Sequence, residues 1–415
     1  MEAIKRLLDD PSVQAALAWV EDHHDERVAE TLELVQVPSS PFEEQVRAEE
    51  IARRFRAAGL EDVHIDEEGN VLGTYRGAAG RPRLVLSAHL DTVFPPGYDP
   101  TPRIDENGVI HAPGIGDDTA GLTALLAIAR ALAAAGVQIE GEILFVATVG
   151  EEGAGDLRGA KHLFRSFAGI DGFISIDDSA EALGDPEPWP IAYNALGSKR
   201  YEFRFRGPGG HSWLAFGTPS AVHAMGRAIA HIADMQVPGE PRTSFSASVA
   251  SGGSSVNAIA AEAVLQTDTR SVDPAQLERT VAELLARVQL GVAEENARWG
   301  RWEVSVEAVV IGDRPSGRQS PDSPLVQAAA AAARALGHSE PVLIDEPVST
   351  DSNVALSLGV PAATVGRGGV NYNIHTPAES WDPSYAWRAV QNTLLTAVGL
   401  VGVQGVSAPL LPVRE

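Results

Sequence analysis

Three apolar runs, RLVLSAH (83–89), EILFVATVG (142–150) and GFISIDD (172–178), alternate with two segments of helical spacing, GLTALLAIARALAAAG and GAKHLFRSF. This alternation limits the possible folds more than any other feature of the chain. Each run is continuously apolar instead of alternating with polar residues, as expected of a strand buried on both faces. Repeated strand-helix-strand units of this kind predict an α/β fold, a mostly parallel sheet flanked by helices.

Upstream, apolar residues at helical spacing between Pro11 and Gly59 predict two helices, separated by VPSSPFEE, where Ser40 precedes Glu43 at the spacing of a capping box. A hairpin is expected around Glu68-Gly69-Asn70. From about residue 195 the pattern changes. SKRYEFRFRG alternates as a half-exposed strand does, PSAVHAMGRAIAHIADM is helical, and TSFSASVAS with AEAVLQTDTRS reads as a strand pair. A long helix follows, capped by Asp273 with Pro274 in its first turn, and then a last strand, RWEVSVEAVVI. The order βαββαβ predicts a small ferredoxin-like domain over residues 195–313, inserted between catalytic-domain segments 1–194 and 314–415.

Composition narrows the function classes. A formal charge of −24 across 415 residues disfavours nucleic acid and anionic membrane surfaces as partners. There is no cysteine, so disulfides, thiolate ligands and a cysteine nucleophile are excluded, and a transition-metal site must use histidine and carboxylates. The N-terminal MEAIKRLLDDPSVQAALAWVEDHHDE mixes charges throughout and reads as neither signal peptide nor span. A soluble, cytoplasmic protein is the expectation.

The polar residues that carry chemistry sit at one place in this pattern. His89 and Asp91 follow the first run, Asp117 and Asp118 open a helix in PGIGDDTAG, Glu151 and Glu152 follow the second run, and Asp177 and Asp178 end the third. His375, in GGVNYNIHTPAES, follows a fourth predicted strand. In a parallel sheet these strand ends share one edge, where ligand sites form. Clustered carboxylates are tolerable there only if protonated or neutralised by cations, and histidine with Asp and Glu suits zinc or a similar divalent ion. One cation could be held by His89 and Asp177 and a second by Glu152 and His375, with Asp117 bridging them. Three carboxylates and a bridging hydroxide would offset the two dications. Asp91 is placed to accept the second N–H of His89, and Glu151 to act as general base and then acid in amide hydrolysis.

HLDT, GDD before an apolar helix, EEG, the acidic end of the third run, GGH at 209–211 and the late HTPAE together resemble the co-catalytic zinc exopeptidase and amidohydrolase family. That family includes peptidase T, glutamate carboxypeptidase G, aminoacylases and succinyl-diaminopimelate desuccinylase. The likeness runs in order along nearly the whole chain. It implies two divalent metal ions, zinc with manganese or cobalt as alternatives, held by His89, Asp117, Glu152, Asp177 and His375, with Asp117 and not Asp118 bridging. It implies Glu151 as the base, His211 as a polariser of the scissile carbonyl, and Asn257 and Arg270 as substrate-binding residues. The inserted domain would be a lid that can form a homodimer. Aspartate at 177 resembles the tripeptidase and aminopeptidase branches, whereas Thr119 departs from the lysine often found there.

Each cluster alone is weak, since a strand-end histidine or an EEG turn is common on ordinary surfaces. Five clusters on one sheet edge are a stronger signal. The expected function is therefore a peptidase T-like exopeptidase on short peptides. Deacylation of N-acyl amino acids or carboxypeptidase action would use the same site, and a catalytically silent metal-binding protein is the reading from another class. Loops 92–113 and 179–196, rich in Pro, Trp and Tyr, are expected to line the pocket. His23, His24, His64, His111, His162, His223, His231 and His338 lack such placement and are read as structural or solvated.

Overall fold

The computed structural model describes residues 2–177 and 188–414, so Asp178 and positions 179–187 of the expected pocket loop lie outside the described residues. The chain divides into two compact units, Met1–Ala195 with Arg318–Glu415, and Leu196–Gly317. The second runs a few residues past the expected 313 because its last strand continues to Arg314.

The first unit is built on an eight-stranded sheet. Its strands are β1 (Glu61–Ile65), β2 (Val71–Tyr75), β3 (Arg83–His89), β4 (Glu142–Thr148), β5 (Gly172–Ile176), β6 (Trp189–Ala192), β7 (Pro341–Ile344) and β8 (Ala362–Val365), in the order β1-β2-β4-β3-β5-β8-β6-β7. The four adjacent strands β4, β3, β5 and β8 are parallel. Leu84, Leu86 and Ala88 of β3 face one core with helices Pro11–Asp22, Gly121–Ala135, Pro324–Leu336 and Trp387–Val401, while Val85 faces another with Leu163, Phe173 and Leu356. Burial on both faces is why these strands read as unbroken apolar runs. By composition residues 115–135 could cross a bilayer, but most of that window is packed inside the fold.

Three local expectations change. Residues 11–59 form three helices, because the chain bends at His23 between Pro11–Asp22 and His24–Leu34. Ser40 and Glu43 form a turn, not a capping box; Phe42 is left-handed (φ 67) and the helix starts only at Gln45. Trp189–Ala192, expected in a loop, is strand β6, antiparallel to β8 and parallel to β7. A further small sheet joins Arg103–Ile104 and Ile110–His111 to Val370–Tyr372 and Ser380–Asp382, pinning the loop that carries His375.

The second unit is the expected ferredoxin-like arrangement. Strands Gly197–Arg206, Thr243–Gly252, Glu262–Ser271 and Ser305–Arg314 form one antiparallel sheet, with the last strand beside the first. Helices Ala221–Ala233 and Pro274–Trp299 pack on it through Phe203, Phe205, Leu265, Leu284 and Val288. The Asp273 carboxylate caps the long helix by accepting the Gln276 amide at 2.7 Å. Where the two helices meet, a Cβ added to Gly291 would lie 2.5 Å from the Ala228 nitrogen. Gly291→Ala is expected to cost about 1–3 kcal/mol by overpacking, outweighing the roughly 1 kcal/mol that alanine gains in a helix. A urea melt should show a lower midpoint; an unchanged or higher one would contradict this close approach.

Candidate metal centre

Because β4, β3, β5 and β8 are parallel, their C-terminal ends lie along one edge, and the residues that follow them converge. His89 is the last residue of β3, Glu151 and Glu152 follow β4, Asp177 follows β5, and Arg367 follows β8. Asp117 comes from the turn before the Gly121–Ala135 helix, and His375 from the loop between two strands of the small sheet.

Asp117 is the centre of the arrangement. Its Oδ1 lies 3.0 Å from His89 Nε2 and its Oδ2 lies 2.9 Å from His375 Nε2. The same His375 nitrogen is 2.9 Å from Glu152 Oε1. Donor atoms fall into a first triplet (His89, Asp117, Asp177) and a second (Asp117, Glu152, His375) that share Asp117, each with its atoms within 4.8 Å of one another. His89, Glu151 and Glu152 form a third grouping of the same size. A single imidazole N–H cannot donate well to two carboxylates, whereas one cation satisfies all three atoms. The donor set, imidazole nitrogen and carboxylate oxygen without sulfur, suits zinc, manganese or cobalt.

The neighbours of the site explain how it is held. His89 Nδ1 is 3.0 Å from the Asp91 carbonyl and 3.7 Å from its carboxylate, so the backbone carbonyl is the nearer acceptor and the expected side chain acts on the ring from slightly farther away. The Asp91 carboxylate also accepts the amides of Glu151 (3.0 Å) and Glu152 (2.9 Å), fixing both acids through their backbone. Burial disfavours charge on Asp91, but His89 and these amides overcome it and leave the carboxyl below its usual range. Asp118 points away from the cluster centre: it accepts the His89 amide at 3.0 Å and the Arg367 guanidinium at 3.2 Å. Thr119 is buried, with its hydroxyl on the Gly114 carbonyl.

Sequence reasoning did not find four residues that matter here. Glu379 accepts the amides of Gly114, Gly116 and Asp117 at 2.9–3.0 Å, tying the His375 loop to the Asp117 turn, and burial with the Asp117 charge pushes its carboxyl up to about 7. Arg367 is buried against Asp177 and Asp118. Arg27 and Arg47 are also buried and clamp backbone around the site, Arg27 on the carbonyls of Ala120 and Arg367 and Arg47 on that of Leu90. The available signal was electrostatic: so many buried carboxylates require buried cations nearby.

His211 and Asn257 belong to the second unit, where they sit together on a short two-stranded ribbon: His211 pairs with Ala258 and the Ser212 amide donates to the Asn257 carbonyl. Arg270 lies on the four-stranded sheet, ion-paired with Asp268 at 2.7 Å. Among the other histidines, His111, His231 and His338 have local partners in Asp105, Glu294 and Gln391.

Hydrogen bonds to Asp117 and Glu152 pull His375 up to about 10. His89 is opposed by burial but held well above its ordinary value by Asp117 and Asp91. Both shifts favour the protonated imidazoles, whose protons a bound cation would have to displace. Zinc affinity is expected to rise with pH as His375 loses its proton toward about 10, with protons released on loading. Calorimetry in buffers of different ionisation enthalpy checks this; affinity independent of pH would contradict it.

The profile of peptidase family M20/M25/M40 matches residues 85–394. A succinyl-diaminopimelate desuccinylase of Corynebacterium glutamicum is 28% identical over 205 residues, 49% of this chain and 53% of that protein, so the match spans about half of its length. Among solved structures, a tripeptidase of Staphylococcus aureus superposes with a TM-score of 0.74 at 25% identity, covering 90% of this chain and 97% of that one. The aminopeptidase PepT of Bacillus cereus superposes with a TM-score of 0.71 at 24% identity over the same shares, a likeness of fold.

Proposed function

The chain belongs to peptidase family M20/M25/M40, and from that premise we propose that it is a two-cation exopeptidase hydrolysing an amide bond of short peptides. The observation that carries this reading is the Asp117 carboxylate, with one oxygen toward His89 and the other toward His375. A carboxylate so placed would be able to help hold two divalent cations, one with His89 and one with His375. When bound, the pair of divalent ions supplies Lewis-acid polarisation of the scissile carbonyl and acidifies the attacking water.

The remaining chemistry belongs to residues of the chain. Glu151 takes the proton of the attacking water and delivers it to the leaving nitrogen, acting first as base and then as acid. Its position is set by the Asp91 carboxylate, which holds the Glu151 amide at 3.0 Å. Asp91 thus serves as a positioning residue for both acids of the EEG turn and, through its carbonyl, for His89. Glu379 does the same for Asp117 by binding its amide.

Aspartate at position 177 and the likeness to the tripeptidase, which extends over 97% of that chain, support a peptide substrate. The desuccinylase match supports the alternative, deacylation of an N-acyl amino acid on the same site. The deciding experiment supplies zinc, manganese or cobalt and offers free and N-blocked di- and tripeptides beside N-succinyl and N-acetyl amino acids. Turnover of tripeptides that requires a free amino terminus is the expected result. Turnover confined to the N-acyl amino acids would replace the peptidase reading with the deacylase one.

A further inference from the structure

We propose that Arg367 makes the two cation positions unequal, so that the second triplet (Asp117, Glu152, His375) fills first and the first triplet (His89, Asp117, Asp177) is the weak, exchangeable position. The inference rests on the two-cation reading. Its basis is the placement of one buried guanidinium. Arg367 Nη1 lies 3.1 Å from Asp177 Oδ1 and 3.5 Å from Asp117 Oδ1, and it is 1% exposed. Its backbone is pinned as well, because the Arg367 carbonyl accepts Arg27 Nη2 at 3.1 Å. Burial places the guanidinium beside these carboxylates and away from water.

Arg367 divides the bridging carboxylate. Asp117 Oδ1, the oxygen on the His89 side, faces the guanidinium, while Oδ2 faces His375. Both acidic ligands of the first triplet thus present to a dication an oxygen already engaged by a fixed positive charge. Glu152 and His375 instead meet at 2.9 Å, with Asp117 Oδ2 beside them. At separations of a few ångströms, a unit charge opposes a dication strongly even at an effective dielectric constant of about 20. Asp118, 3.2 Å from Nη1, takes a share of that charge, so the result is a weaker position and not a forbidden one. With a weak first position, turnover would follow the free concentration of divalent cation while the second position stays loaded.

The test is a titration of the cation-free full-length protein with Co2+, followed by calorimetry and by the visible absorption of the bound ion. Wild type is expected to show two binding events at least about tenfold apart. Asp177→Asn should abolish the weaker event and Glu152→Gln the tighter one. Arg367→Met should narrow the gap at least about tenfold by strengthening the weaker event, and Arg367→Lys should preserve it. Two cations of equal affinity, loss of the tighter event in Asp177→Asn, or an unchanged gap in Arg367→Met would overturn the inference and leave the two-cation reading standing. One cation per chain in wild type would overturn both. The wild-type, Asp177→Asn and Glu152→Gln titrations decide the assignment even if the Arg367 variants do not fold.

Discussion

Glu151→Gln is expected to lower kcat by about 10²- to 10⁴-fold, the usual share of a general acid-base group, while cation content and thermal stability stay near wild type. The substitution keeps the shape of the side chain while removing its charge and its ability to carry a proton. It leaves untouched the contact that positions the residue, since Asp91 holds the Glu151 backbone amide and not its carboxylate. Cation content is the informative control. A Glu151 oxygen also lies within reach of His89 and Glu152, so a ligand role would appear as a lost cation. Activity within about tenfold of wild type would remove Glu151 from the chemistry.

Asp117→Asn is expected to have the larger effect on cation binding. Groups that merely support a ligand cost about 10- to 100-fold in affinity when removed, and Asp117 serves both triplets directly. The variant should lose more than about a hundredfold in affinity for at least one cation, and kcat should fall to the level of the cation-free enzyme. Charge explains why an amide cannot substitute. Burial disfavours an ionised Asp117, but hydrogen bonds to His375 and His89 and the Arg367 charge hold its carboxyl well below the usual range. It is a fixed anion between two imidazoles. Inductively coupled plasma measurement of dialysed protein gives the stoichiometry; two tightly held cations in Asp117→Asn would show that something else joins them.

Much of this arrangement was legible in the amino-acid order because the sheet is parallel. Continuous apolar runs locate the strands, and the polar residues just past them must share an edge, so His89, Glu152 and Asp177 could be grouped without coordinates. What remained hidden is local. Asp117 and Asp118 are adjacent acids that the family resemblance, and not their local pattern, tells apart; the structure shows Asp117 facing both histidines and Asp118 turned to the His89 amide and Arg367. Arg367 itself stands in a glycine-rich turn with no periodic context, and its partners Asp177 and Asp118 lie 190 and 249 positions away. The WPIA strand was lost for a related reason. Four residues containing a proline carry little strand signal, and its place in the sheet comes from pairing with residues about 150 positions later.

The secondary roles of Asp91 and Glu379 follow the same logic. Both are buried carboxylates that spend their oxygens on backbone amides next to candidate ligands. Neither amide donor is visible in a sequence, because every residue but proline carries one. Expectation and structure agree that His89, Asp117, Glu151, Glu152, Asp177 and His375 gather, and differ on what holds them.

The most direct test of the shared-carboxylate centre is anomalous diffraction at the zinc absorption edge from crystals of the zinc-loaded protein. Two peaks about 3.5–4 Å apart, flanking the Asp117 carboxylate with one beside His89 and the other beside His375, are the predicted result. A single peak, or two peaks with Asp117 bound to neither, would contradict it.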